Sequence, residues 1–291
     1  MEEKIEAFYD KNYKKLMIIP ALILLLSLSF LTYNYISNGE IIKRDVELKG
    51  GIEITIDKPG LTASEVESAL KEKYQDFSIR ELSDFSSTKS LGVTIKISNV
   101  DELEVKSLLS SKIAFTEGQY NSRIINAAFA SSFYASLIIV LIVSFILMAL
   151  TVFISFRTFI PSIAVISAAT IDLVATLAIV SFLGMKLSAP GITAFLLIIG
   201  YSIDTDVLLT TRMIKRSDST LLKRMMSGIK TGLTMSFATI IAMTAALIFT
   251  VNPVLQEIFS IIIIAIIIDI IATYLGNGPM LIWYAKKRGI Q

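Results

Sequence analysis

Four aspartates stand inside membrane-length apolar runs: Asp172 in SAATIDLVATL, Asp204 and Asp206 in GYSIDTDVLL, and Asp269 in IIIIAIIIDIIATYL. A carboxylate at membrane depth costs roughly 2.5–3.5 kcal/mol on insertion scales, so four in contact with lipid would together cost on the order of 10 kcal/mol. Such groups belong in a bundle interior, against a partner or in a watery cavity. There, desolvation brings their ionisation within reach of a cellular ion gradient. Asp172, Asp204, Asp206 and Asp269 are therefore the ion-coupling candidates. The bland alternative is a protonated side chain that bonds a carbonyl or hydroxyl and ties two helices together. It weighs most for Asp269, whose sequence neighbours are aliphatic.

The chain of 291 residues holds no Cys and no His. Disulfides, thiolate nucleophiles, His general bases and the usual zinc or haem ligands are thereby excluded, and no metal site or cofactor is expected. There is no P-loop, no GxGxxG and no HExxH, which argues against energy drawn from bound ATP. A net charge of +2 gives no case for nucleic acid.

Asp204 and Asp206 differ by about 200° around an α-helix, so an unbroken helix cannot aim both into one site. Asp204 shares its face with Leu197, Gly200, Tyr201 and Leu208; Asp206 shares its face with Ser202, Ile203, Leu209, Thr210 and Met213. Gly200 would permit a local break or a close helix contact. The fifth apolar run carries Thr231, Thr234, Ser236, Thr239 and Thr244, hydroxyls that can line a polar path or bond neighbouring helices.

These residues need a scaffold. Hydrophobic residues make up 54% of the chain and charged residues 18%, which is a membrane composition. Six stretches are long enough to span about 30 Å of hydrocarbon: 16–36, 131–154, 160–183, 191–211, 231–251 and 256–283. Basic residues gather in 1–15, at Arg157, in the loop 212–230 and in 284–291. The opposite short loops hold only Lys186. The positive-inside rule then puts both termini in the cytoplasm and segment 37–130 outside. The first span reads as an uncleaved anchor, since no A-x-A site follows it.

Segment 37–130 reads as a ferredoxin-like β-α-β-β-α-β domain. VELKGGIEITI alternates as a strand, and a helix follows, with Thr62 as N-cap and Glu65 completing a capping box. DFSIREL and LGVTIKIS read as strands, NVDELEVKSLLSS as a second helix and KIAFTEGQY as the last strand.

VELKGG at 46–51, TIDLV at 170–174, IGYSIDTDVLLTTR at 199–212 and IKTGLTMS at 229–236 resemble the SecF family of protein-export membrane proteins, within the RND superfamily. The resemblance is greatest to archaeal members. It marks Gly50, Gly51, Gly200, Tyr201, Ser202 and Thr205 as motif positions. It implies a six-span half-transporter plan, an accessory role in protein export, and partners: SecD, the Sec translocon channel, the exported polypeptide and the lipid bilayer. It also implies an acid in the third span, which Asp172 matches, and an acid just after GYS in the fourth. Bacterial members read GYS-x-N-D-T there. Here Thr205 falls at the acid position, between Asp204 and Asp206. The arginine that bacterial members carry in the fifth span has no counterpart; Gly228 stands near that place.

Two other readings remain. An ion-coupled exporter of small molecules or lipids would suit the same superfamily, although such proteins usually have twelve spans and two large outer domains. An intramembrane aspartyl protease would need a GxGD-like motif, which is absent.

Overall fold

The computed structural model describes residues 2–74, 76–84, 87–98, 100–216 and 219–289. Among these, six helical stretches are long and apolar enough to cross a membrane. The first is α1 (Glu2–Leu16) running almost directly into α2 (Ile18–Asn38). The next four are α6 (Ala127–Phe156), α7 (Phe159–Phe182), α8 (Ala189–Lys215) and α9 (Leu221–Phe249). The last is α10 (Pro253–Ala272), which passes through a π turn (Thr273–Asn277) into α11 (Gly278–Arg288). The sequence sets the starts locally. Asn126, Ser188 and Asn252 each accept a hydrogen bond from the first turn of the helix they open, and Pro190 and Pro253 occupy positions where no backbone donor is needed. Gly39, with φ of 74°, ends α2.

Two basic segments depart from expectation. The stretch 212–230, read as a loop, is mostly helix: α8 runs to Lys215 and α9 starts at Leu221, so Lys223, Arg224 and Lys230 ride on α9. Hydropathy marks only the apolar part of a helix, and Lys and Arg extend it readily. The N-terminal segment is likewise helical from Glu2. It packs Tyr9 and Leu16 into a cluster with Leu281, Ile282 and Ala285 of α11. In the bundle, α7, α8 and α10 are the interior helices and α6 and α9 are peripheral.

Between α2 and α6 lies the α+β domain: β1 (Gly51–Ile56), α4 (Ala63–Leu70), β2 (Phe77–Asp84), β3 (Ser87–Ile97), α5 (Glu102–Lys112) and β4 (Tyr120–Ile125). The sheet is antiparallel in the order β2-β3-β1-β4, as the split β-α-β arrangement requires. Alternation puts Ile52, Ile54 and Ile56 of β1, with Val93, Ile95 and Ile97 of β3, against Val66, Leu70, Val105 and Leu109 of the two helices. Thr62 and Glu65 form the capping box that opens α4.

Two strands begin later than the sequence suggests. Val46–Lys49 is a helical turn, α3, whose N-cap Asp45 accepts from the Val46 N–H. Gly50 and Gly51, at φ of 90° and 146°, turn the chain from it into β1. Both glycines are also close-packed: a Cβ on Gly50 would lie 2.5 Å from Ala127 Cα, and one on Gly51 would lie 2.3 Å from the Ile97 oxygen. The last strand is Tyr120–Ile125 rather than 112–120. A 3-10 turn at Glu117–Gln119, capped by Thr116, interrupts the apolar alternation first.

Candidate functional site

Three of the four membrane aspartates converge. Asp172 on α7, Asp206 on α8 and Asp269 on α10 are fully buried, at 0%, 0% and 2% exposure. Ser202 and Thr205, three residues apart on α8, contact Asp172 and Asp269 respectively. Ser202 Oγ donates to Asp172 Oδ2 at 2.5 Å. Thr205 Oγ1 sits 3.0 and 3.2 Å from the two Asp269 oxygens and 2.9 Å from the Ser202 carbonyl oxygen. It has one proton to donate, so it serves one of these acceptors at a time. Thr273 Oγ1 also donates to Asp269 Oδ1, at 3.2 Å.

The π turn supplies the partner of Asp206. Asn277 Nδ2 donates to Asp206 Oδ1 at 2.8 Å and approaches Thr210 Oγ1 at 3.4 Å. Asp269, Thr273 and Asn277 follow one another at four-residue spacing, and the wider π turn keeps all three on the α8 side. Such turns are common at working sites in helices. Tyr9 of α1 donates its hydroxyl to the Tyr274 carbonyl oxygen at 3.2 Å, a group that the π turn leaves open to an outside donor.

Asp172 Oδ1 and Asp206 Oδ2 have no hydrogen-bond partner among the described residues, and no ion pair there involves Asp172, Asp206 or Asp269. Buried carboxylates without a cation are costly, and close ones cannot all stay charged. Some of the three must therefore be neutralised, by a proton or by another small cation.

The remaining sequence candidates lie elsewhere. Asp204 is exposed on the opposite side of α8, in a stripe with Thr193, Leu197 and Gly200; around Gly200 there is open space. Tyr201 is half-buried and Ser202 is buried. On α9, Thr231, Thr234 and Thr239 each donate to the carbonyl one turn back. Thr231 also accepts from Arg212, and Thr234 is exposed. Of the three, only Thr239 borders the cluster, through a cavity it shares with Asp269. A continuous hydroxyl path along α9 is therefore absent among the described residues. Nor is Asp269 alone among aliphatics: Thr205 and Thr273 serve it. Gly228 has no room for a long side chain, since its Cβ would meet Leu209 Cδ1 at 2.8 Å.

Sequence reasoning missed Asn277, Thr273, Glu257 and Ser188. Asn277 carried a signal, two helical turns beyond Asp269. Glu257 is buried at the start of α10, where it accepts from Ser188 N–H at 3.1 Å and Ser188 Oγ at 2.7 Å. It thereby joins the first turns of α8 and α10.

The turn before α8 also holds the α+β domain. The Asp45 N–H donates to the Leu187 carbonyl oxygen, and the Leu187 N–H to the Lys43 carbonyl oxygen, both at 2.8 Å. Lys186 pairs with Asp76 at 2.7 Å, and Arg80 of β2 lies 3.9 Å from Glu257. Burial works against the charge on Asp76, but the Lys186 and Lys49 ammonium groups outweigh it and hold that carboxyl below its usual range. Lys96 behaves in the mirror sense. Burial disfavours its charge, yet Asp45 at 2.7 Å and Glu47 at 3.0 Å hold it above the ordinary lysine value.

The family model described as "Protein export membrane protein SecD/SecF, C-terminal" matches residues 104–287, a stretch that contains the whole carboxylate cluster. The chain belongs to the SecD/SecF family. A SecF from Methanothermobacter thermautotrophicus is 34% identical over 286 residues, covering 96% of this chain and 94% of that protein. A SecF from Pyrococcus furiosus is 30% identical over 290 residues, covering 99% and 96%. In fold, the chain is similar to the crystal structure of SecDF from Thermus thermophilus, a translocon-associated membrane protein. The TM-score is 0.69 at 18% identity, over 95% of this chain and 38% of that one. A SecDF in its super-membrane-facing form gives a TM-score of 0.56. The chain thus spans well under half the length of the SecDF chains and nearly all of these two SecF proteins. The SecD/SecF plan of six membrane helices with one inserted α+β domain is the fold observed here. The acid that the family resemblance places at position 205 is met by a threonine whose hydroxyl reaches Asp269, so α10 supplies the carboxylate at that point.

Proposed function

We propose that this chain is a non-enzymatic accessory subunit of the Sec protein-export machinery. It sits in the cytoplasmic membrane and works with SecD, beside the translocon channel, to promote passage of exported polypeptides. Near-full-length similarity to proteins named SecF supports this reading, as does a fold that forms part of SecDF. Positive charge at both termini and around the α8–α9 turn supports cytoplasmic placement of those parts and an outer position for the α+β domain. Asp204, on an exposed stripe at membrane depth, fits a contact with the SecD half.

The single observation that carries an ion-driven mechanism is the shared burial of Asp172, Asp206 and Asp269 with no Lys or Arg paired to them among the described residues. Taking up a proton or another small cation neutralises one carboxylate. The demand on Ser202, Thr205 and Asn277 as donors then changes, and the packing of α8 against α10 with it. Both helices begin at the Ser188–Glu257 contact, next to the turn that grips the α+β domain. A small shift of α8 relative to α10 would therefore reach the domain as a lever movement.

The test is export by cells or vesicles carrying Asp206→Asn or Asp269→Asn. Gradient-dependent export should fall at least tenfold while SecD still co-purifies. Export at the parent rate in both variants would remove the cluster from the mechanism. Asp204→Asn should instead weaken SecD co-purification.

A further inference from the structure

Between α8, α9 and α10 lies a cavity of about 180 Å³. Most of its wall is hydrocarbon, from Leu197, Ile198, Met243, Ile262, Ala265 and Ile266. Set into that wall are Asp269, Tyr201, Thr239 and Ser202, whose hydroxyl proton is already given to Asp172. The Tyr201 hydroxyl is buried with no hydrogen-bond partner among the described residues. The Thr239 hydroxyl gives its proton to the Met235 carbonyl oxygen at 3.0 Å, which leaves its lone pairs free. Asp269 has at most two threonine hydroxyls donating to it, and a carboxylate has about four acceptor sites. The cavity therefore offers acceptors in excess of donors, one of them a carboxylate, inside an apolar shell.

That combination selects a ligand. An anion would meet Asp269 with like charge. A neutral hydrocarbon would fill the wall and leave the polar atoms unanswered. A primary ammonium group carries three N–H donors and a positive charge, which matches Asp269, Tyr201 and Thr239 in number and sign. The body attached to it must be small: a cavity near 150 Å³ holds a benzene ring, so about six carbons fit here. We infer that this cavity binds a small lipophilic primary ammonium ion, with its nitrogen on Asp269 and its hydrocarbon body between α8, α9 and α10. Such a ligand would place a fixed positive charge on a member of the carboxylate cluster and compete with the cation the cluster exchanges. Binding needs only the cavity and its carboxylate, so it would hold in a chain that drove no export.

The chain has no cysteine, so Met243→Cys puts a single thiol in the cavity wall. The full chain in lipid nanodiscs at pH 7 is treated with methyl methanethiosulfonate in the presence of n-hexylamine or n-hexanol, which share a hydrocarbon body. Hexylamine should halve the labelling rate at a concentration at least tenfold below that of hexanol. Adding Asp269→Asn should bring the two to within a factor of two. Equal protection in the parent, protection by neither, or an amine preference that survives Asp269→Asn would each overturn the assignment. Should Asp269→Asn fail to fold, Ala265→Phe fills the cavity while leaving the Asp269 residue unchanged. Calorimetric binding of hexylamine to the unlabelled chain should then vanish, and its persistence would equally refute the site.

Discussion

Gly191 is the tightest point between α8 and α10, and replacing it tests the joint at Ser188. A Cβ there would lie 2.4 Å from Glu257 Oε1, 3.1 Å from Leu187 Cδ1 and 3.4 Å from Ile261 Cδ1. The oxygen must retreat by about 1 Å to reach ordinary contact distance, which carries it out of range of both Ser188 donors. Each hydrogen bond to a carboxylate is worth about 1.5–3 kcal/mol, so the gross loss in Gly191→Ala is about 3–6 kcal/mol. Two effects oppose it. Alanine favours the helix over glycine by up to about 1 kcal/mol. The carboxylate can also swing into the neighbouring cavity, lined by Arg80, Lys186 and Gln256, where water and Arg80 recover part of the loss. The net expectation is a destabilisation of about 2 kcal/mol. The decisive measurement is a double-mutant cycle, read by thermal or denaturant unfolding of the purified full chain. In a Glu257→Ala background the clash is gone, so Gly191→Ala should be neutral or stabilising by up to about 1 kcal/mol, giving a coupling of about 2–3 kcal/mol. An equal loss in both backgrounds would refute the reasoning and locate the strain at Leu187 instead.

Asn277→Leu removes the donor to Asp206 and should lower stability by about 1–3 kcal/mol; an unchanged melting temperature would contradict that contact. Tyr9→Phe should cost about 1 kcal/mol and raise protease cleavage within α1, with unaltered digestion counting against a role at the π turn. The depressed carboxyl of Asp76 makes the domain grip pH-dependent. Its contribution is present above the usual carboxyl range and is lost as pH falls through the lower native value. Protection of residues 184–188 against hydrogen exchange, relative to the intrinsic rate at each pH, should therefore fall below about pH 4 in the parent and much less so in Asp76→Asn.

The sequence displays the bundle more openly than the site. Long apolar runs mark their own helices, and the period-two alternation of Ile52, Ile54 and Ile56 identifies a sheet face. Helix ends were harder to read, because Lys223 and Arg224 look like loop residues to hydropathy although they suit a helix. VELK looked like strand because Val46 and Leu48 alternate; the cap at Asp45 and the two glycines after it decided otherwise. Within the site, burial of Asp172 follows from its place in an apolar run. The union of Asp172, Asp206 and Asp269 depends on which helices adjoin, and no local pattern contains that. The opposite placement of Asp204 follows from the 200° between neighbours two apart, but which of the pair turns inward is a matter of tertiary packing. Asn277 reaches Asp206 only because a π turn stands where period alone would draw an α-helix.

The paired hydrogen bonds between residues 43–45 and Leu187 join points about 140 residues apart in the chain. Ribosomes add about 5–20 residues each second, so residues 43–45 wait roughly 7–30 s after their own synthesis before the turn that receives them exists. The domain has a complete apolar core and needs no help from the bundle to close it. It can thus fold while held by α2 and α6 alone, and it gains the grip at Leu187 once the turn before α8 is in place. Assembly order is thereby written into the connection: a chain interrupted after α7 would keep a folded but loose domain, and only insertion of α8 would fasten it.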